Sequence, residues 1–433
     1  MSETGDHGLS PGRHAVADAA YDVVVAGSGP AGSTAAVMLA RAGARVLLVD
    51  PDRFPRDKAC GDLVGPRGVT LLRRLGVTPT PALPAGDVEV VAPSGRSIAL
   101  PWPARGTYAG HALACRRRDL DAALRDAALA AGAEPVRGRV LDVDGESVAL
   151  STGRRVRAGA MIGADGAMSR VATAAGLVRP ANLLWGMGLR CYVEADIDRP
   201  WIVFWEPRPG HPLPCYGWLF PGPDGRANLG LAVGVGADRR RASAVGHLLP
   251  AFVESLRGAG RLSASAQPTE RRGGWIRMGA AGIDVARGNV LLCGDAAGLV
   301  NPLQGEGISE AMLSGHSAAE ALAAGAAGAA ERHRMKLAER HGRFHPVAAA
   351  LHVAMLRRPR AIGVAAAMLT APGIDRAIAA GWTIWWHDLL EGARPAPART
   401  VARILAASAS LATARSPVRR DAAAAYGRHG DAA

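Results

Sequence analysis

The chain has 433 residues, 49% of them apolar, and a formal net charge of +13; that length exceeds one ordinary hydrophobic core, so roughly two or three units are expected. Its five cysteines, at 60, 115, 191, 215 and 293, include no C-x-x-C pair, which argues for a reducing, cytoplasmic setting and against a disulfide framework. The positive charge admits an anionic membrane surface or a phosphorylated small molecule, or is simply an Arg-rich surface; with no zinc-finger spacing, RNP-like aromatics or long Lys/Arg run, neither nucleic acid nor a metal is expected.

Residues 1–20 are polar, lack the apolar run of a signal peptide, and read as a mobile tail. The next stretch, YDVVVAGSGPAGSTAAVMLARAGARVLLVD at 21–50, sets an apolar strand, a glycine turn, a small-residue helix and a second strand ending on an acid. That order is the context a dinucleotide fingerprint requires. Gly27 makes the tight turn, Gly29 lets a pyrophosphate approach, and Gly32 packs helix on strand. Pro30 and Ala31 open the helix, whose N-terminal amides face the phosphates. Asp50 stands where a carboxylate meets a ribose hydroxyl.

The loop 51–66 carries Arg53, Arg56, Lys58 and Cys60-Gly61-Asp62. Its basic groups suit a dinucleotide neighbourhood, or are simply solvated. Residues 81–104 give short strands, and 114–133 an amphipathic helix preceded by Arg116, Arg117 and Arg118. A hairpin with Asp144-Gly145 at its turn leads to a strand that ends in Gly163-Ala-Asp165-Gly166. From 180 to 274 short strands alternate with Pro and Gly, predicting a mostly antiparallel sheet. Tyr216, Trp218 and Phe220 fall on one face of one strand, as core filler or as the wall of an apolar cavity.

Further on, Gly294-Asp295 follows a strand, and Gly305-Glu306-Gly307-Ile308 opens a long small-residue helix. Such an acid can meet a ribitol hydroxyl, and such glycines let backbone approach a flat ring. Residues 331–410 read as helices. Trp382, Trp385 and Trp386 with Arg357, Arg358 and Arg360 suit either a packed helical cap or an anionic membrane face. No helix that spans a bilayer is expected. Residues 411–433 read as a second mobile tail.

Together and in this order, the motifs resemble the geranylgeranyl reductase family of flavoproteins, relatives of the aromatic hydroxylases, over about residues 21–322. GSGPAG with Asp50, and GADGAMSR, belong to the whole flavoprotein class and imply FAD. FPRDKACGD and YGWLFP are particular to prenyl reductases, and CGDAAGLVNPLQGEGI resembles the flavin-ring segment. The family's arginine before a helical Leu-Asp falls on Arg117. Two positions depart from the pattern: Leu63 follows the CGD triplet where glycine is frequent, and Ala232 stands in place of the second glycine after Gly230.

The resemblance implies an α/β fold. A Rossmann-like FAD-binding domain takes residues 21–80, 105–175 and 275–330, and an antiparallel-sheet substrate domain takes 81–104 and 176–274, with a helical C-terminal region over 331–410. It implies saturation of carbon–carbon double bonds in a geranylgeranyl lipid, menaquinone or terpenoid. Hydride comes from reduced FAD, with NADPH or a ferredoxin as donor of electrons, and a peripheral contact on the inner membrane face is consistent with such a substrate. The cofactor set is Gly27, Gly29, Pro30, Ala31, Gly32, Asp50, Cys60, Gly61, Arg117, Asp165, Asp295, Gly305, Gly307 and Ile308. Tyr216, Trp218 and Phe220 wall the substrate, with Tyr216, Trp218 and Cys60 at the reacting bond. Cys60 is a proton donor, a relay, or an ordinary half-buried cysteine. The same scaffold also fits an FAD monooxygenase acting on a hydrophobic metabolite, or a prenyl-lipid escort without flavin.

Overall fold

The computed structural model describes residues 16–102, 106–205, 215–236, 239–358, 360–393 and 396–427. Val16–Ala26 is the centre of an eight-stranded sheet. It pairs in parallel with Val46–Asp50 on one side and Arg155–Gly163 on the other. Glu134–Arg137 and Val290–Leu292 extend the two flanks, also in parallel. Strand side chains alternate between faces, and both faces here are dry. Val23 and Val25 enter a core with α1 (Pro30–Arg41), while Val24 and Ala26 enter a second core on the opposite face. This explains why the strand reads as a continuous apolar run.

Helix α2 (Pro66–Leu75) follows the cysteine loop, and α3 (Arg117–Ala130) packs Leu120, Leu124 and Ala128 into the same core as α1. The hairpin Val140–Asp144 with Ser147–Leu150 turns at Gly145, φ +57°, as its Asp-Gly predicts. Short helix α4 (Arg170–Ala174) follows the second glycine turn.

A seven-stranded sheet runs in the order Thr269–Arg277, Trp185–Glu194, Arg226–Gly236, Cys215–Phe220, Trp201–Trp205, Val88–Val91 and Ser97–Leu100. Every neighbour is antiparallel except Trp201–Trp205 with Val88–Val91. Helix α5 (Val245–Gly258) covers one face, pressing Phe252 so closely on Gly217 that a Cβ there would lie 2.0 Å from the ring. Tyr216, Trp218 and Phe220 therefore point to the other face.

That other face meets the C-terminal helices. After α6 (Ile308–Ala323) come α7 (Ala329–His341), α8 (His345–Arg357), α9 (Arg360–Leu369), α10 (Arg376–Trp386), α11 (Ala396–Thr413) and α12 (Pro417–Ala424). The expected tail from 411 is a departure: α11 continues into it and α12 docks against α8. Asp421 accepts from Gly282 N at 2.7 Å and Asn182 Nδ2 at 3.0 Å, and Tyr426 is buried. Of the two expected tails, residues 1–15 and 428–433 lie outside the described residues. Among the described residues no helix is long and apolar enough to cross a membrane.

Candidate active site

The first glycine turn is closed by its own backbone and by Asp50. Gly27 N donates to Val49 O at 2.7 Å, and the Asp50 carboxylate accepts from Ser28 N at 2.7 Å and Asp52 N at 2.9 Å. Gly27 has φ +96°, and a Cβ on it would lie 2.3 Å from Ala164 O. The two glycine turns therefore touch, and only glycine fits. At Gly29, by contrast, the nearest group to a built Cβ is Arg56 Nη2 at 3.6 Å. Helix α1 starts there with Pro30 in its first turn, no side-chain cap and no acidic residue. Its N-terminal amides are left for an anion. Beside the turn, a polar cavity of about 310 Å³ is lined by Ser28, Asp50, Arg53, Phe54, Arg125 and Arg137.

Two residues expected at the cofactor have protein partners in this structure. Asp165 accepts from Ser169 Oγ, Arg170 N and Val171 N, so its carboxylate caps α4. Arg117 is buried and grips Asp121 through two bonds of 2.8 Å, with its charge acting on the Cys60 thiol. Arg56 stands beside the first glycine turn, held by Asp121 at 3.1 Å and Asp52 at 3.3 Å.

The Cys60-Gly61-Asp62 loop is organised by Asn228, which the motifs do not single out. Its Nδ2 donates to Cys60 O and to the Asp62 carboxylate, each at 2.8 Å, while its Oδ1 accepts from Trp218 Nε1 at 2.8 Å. Asp62 takes further bonds from Tyr192 Oη at 2.6 Å and Arg117 N at 3.0 Å. Gly61 lies against the aromatic strand: a Cβ there would be 2.9 Å from the Phe220 ring and 3.4 Å from Trp218 Nε1. Burial pushes the Cys60 thiol up, although the Arg117 charge opposes it. The thiol thus keeps its proton at neutral pH.

Tyr216 ties the same strand to the second loop, donating to Gln304 O at 2.7 Å. Gly305, at φ +77°, has no room for a side chain, because its Cβ would be 2.4 Å from Tyr216 Oη. Gly307 precedes α6, whose first turn from Ile308 has no side-chain cap. Glu306 accepts from Ser309 Oγ and so braces the loop. Asp295, in the turn Gly294–Ala297, is 3.6 Å from Lys58 Nζ.

From Gly305 an apolar cavity of about 80 Å³ runs between the seven-stranded sheet and the C-terminal helices. Tyr216, Ala232, Phe204, Leu369, Trp382 and Trp386 are among its walls. Trp382, Trp385 and Trp386 are in mutual contact, with ring centres 5.6–6.3 Å apart. They are packed together as a helical cap predicts, and two of them line a cavity. Ala232 sets its methyl group in that wall.

A family model described as an FAD binding domain matches residues 20–188. Menaquinone reductase of Mycolicibacterium smegmatis is 35% identical over 322 residues, 70% of this chain and 76% of that protein. Digeranylgeranylglycerophospholipid reductase 2 of Methanopyrus kandleri is 31% identical over 70% of this chain and 77% of its own. The chain belongs to the geranylgeranyl reductase family. A geranylgeranyl bacteriochlorophyll reductase-like protein from Thermoplasma acidophilum shares the fold, with a TM-score of 0.64 at 21% identity over 92% of this chain and 96% of that one. This family member is an FAD-dependent oxidoreductase. Its residues fit the cofactor: besides the uncapped helix and the open side of Gly29, Ser28 Oγ is buried at the turn without a partner among the described residues.

Proposed function

We propose that this enzyme saturates carbon–carbon double bonds in the prenyl chain of a menaquinone-type lipid. The observation that carries the reading is the apolar cavity that starts at Gly305 and is walled by Tyr216. It offers an isoprenoid chain a dry passage with few polar groups to desolvate. The naming of the M. smegmatis relative supports a quinone bearing that chain.

In this reading Gly27, Gly29, Pro30, Ala31 and Gly32 hold the pyrophosphate of FAD with help from Arg56. Asp50 takes a ribose hydroxyl and Asp295 a ribitol hydroxyl. Gly305, Gly307 and Ile308 approach the flavin ring with backbone. Reduced flavin supplies the hydride. The chain's own residues supply position and a proton. Asn228 fixes Trp218 against Cys60-Gly61, and Tyr216 fixes the other end of the aromatic strand to the glycine loop. Cys60, protonated and beside Arg117, gives its thiol proton to the second carbon of the bond. Arg117 orients that thiol, and Asp165 acts only as a brace between the two glycine turns.

Lipid reaches the cavity past α9. This helix turns Ala366 and Leu369 inward and leaves Val364 and Met368 exposed, with exposed Arg357, Arg358 and Arg360 at its start. An apolar outer face beside cations suits an anionic membrane surface.

The test compares wild type with Cys60→Ala, both reduced anaerobically and given menaquinone. Wild-type flavin is expected to reoxidise as the lipid is hydrogenated. The variant should keep its flavin and react about 10²-fold more slowly, the usual share of a general acid. Equal rates would remove Cys60 from the reaction. Flavin that stays reduced in both would reject the substrate.

A further inference from the structure

A second buried cluster takes no part in the proposed reaction. Glu310 lies in the first turn of α6, His341 ends α7, His345 begins α8, and Asp388 follows α10. Glu310 is 2% exposed, His341 0% and His345 1%. The ligand atoms of His341, His345 and Asp388 lie within 4.8 Å of one another, and Glu310 Oε2 is 3.5 Å from His341 Nε2.

Five atoms here are buried without a hydrogen-bond partner among the described residues: both ring nitrogens of His341, His345 Nε2, Glu310 Oε2 and Asp388 Oδ2. Buried polar groups are seldom left so, and each costs about 1–3 kcal/mol. Arg67 satisfies only part of the cluster. Its Nη1 donates to Glu310 Oε1 at 2.7 Å, and its Nη2 is 3.6 Å from Asp388 Oδ2.

We propose that Glu310, His341, His345 and Asp388 bind a divalent transition-metal cation of the zinc class. Two imidazoles and two carboxylates form a four-ligand set of borderline hardness. The 3.5 Å between Glu310 Oε2 and His341 Nε2 is close to the edge of a tetrahedron with bonds of about 2.1 Å. Tyr426 Oη stands 3.4 Å from His345 Nδ1, an outer partner that turns Nε2 inward. Both imidazoles and Glu310 are buried and Asp388 is partly buried, so the role assigned to the site is structural. It fastens α7, α8 and the end of α10 to α6, the helix that begins at Gly307. The sequence shows only the H-x-x-x-H spacing of 341 and 345, because both carboxylates come from distant helices. The proposal does not rest on the choice of substrate.

The flavin-loaded full chain, made in zinc-containing medium and passed over a chelating resin, is expected to retain about one zinc ion by elemental analysis. His345→Gln and Asp388→Asn are each expected to weaken that binding about 10–100-fold, with flavin absorbance showing that the variant has folded. Should a variant fail to fold, cobalt(II) added to metal-free wild type decides. Visible absorption bands of a four-coordinate ion, abolished by one equivalent of zinc, support the site. Zinc retained equally by folded variants, or no zinc together with no cobalt spectrum, overturns it.

Discussion

Asn228 holds three groups with one carboxamide: the Cys60 carbonyl, the Asp62 carboxylate and the Trp218 indole. An Asn228→Leu variant keeps the side-chain bulk but leaves Trp218 Nε1 without its acceptor and Cys60 O without its side-chain donor, and takes from Asp62 one of three donors. The expected loss is about 1–3 kcal/mol for each orphaned group, read as a lower melting temperature. Activity should fall further than stability accounts for, because the aromatic strand is freed from the cysteine loop. A melting temperature equal to wild type would show that water replaces the carboxamide. Asn228 was not legible from the sequence, whereas Gly27 and Asp50 were. The glycine turn and its terminal acid are local, set by strand, turn and helix within thirty residues. The partners of Asn228 lie 166 and 168 positions away and depend on how two sheets are stacked. The same reason hid the bonds of Asp165 to the first amides of α4 and the placing of Arg56 beside Gly29.

A buried imidazole of helix α7 reaches the eight-stranded sheet, beside Arg334, whose Nη2 donates to Ala286 O. His333 Nε2 donates to Leu292 O at 2.9 Å, and its Nδ1 accepts from Ser317 Oγ at 3.1 Å. Burial lowers its pKa from 6.5 to about 4. Between those values the unfolded chain binds the proton and the folded chain does not, so stability rises with pH through this window and falls as pH drops from 6.5 towards 4. His333 alone contributes on the order of 3 kcal/mol to that fall. Urea midpoints of wild type should therefore shift steeply over this range, and those of His333→Asn less so. Parallel slopes would show that His333 titrates alike in both states. At this scale the long periodic elements were readable, among them α1, α3, α6 and the antiparallel strands. Helix α12 was not: its Ala/Arg composition carries no usable period. What fixes it is Asp421 reaching Gly282 N and Tyr426 reaching His345.

In the whole molecule, the two larger sheets and a helical cap place the Gly305 loop at one end of an apolar cavity. The +13 charge leaves the membrane question open to experiment at α9. Val364 is 58% exposed and Met368 68%, one turn apart on its outer face. Replacing both by serine removes apolar area without touching the cavity walls. It should reduce co-flotation with anionic vesicles while flavin content stays unchanged, whereas flotation equal to wild type would assign the exposed face no membrane role. The family was legible only through motif resemblance. The cavity itself arises from helices whose sequence reads equally well as a packed core.

The most direct test of prenyl reduction is isotopic. The FAD-loaded enzyme, reduced anaerobically in deuterated water, is given menaquinone and the product is analysed by mass spectrometry. Proton delivery from an exchangeable thiol predicts a saturated isoprene unit with solvent deuterium on the carbon that accepts the proton. A prenyl chain unchanged under these conditions, with oxygen inserted once air and NADPH are admitted, would contradict the account and make the enzyme a monooxygenase.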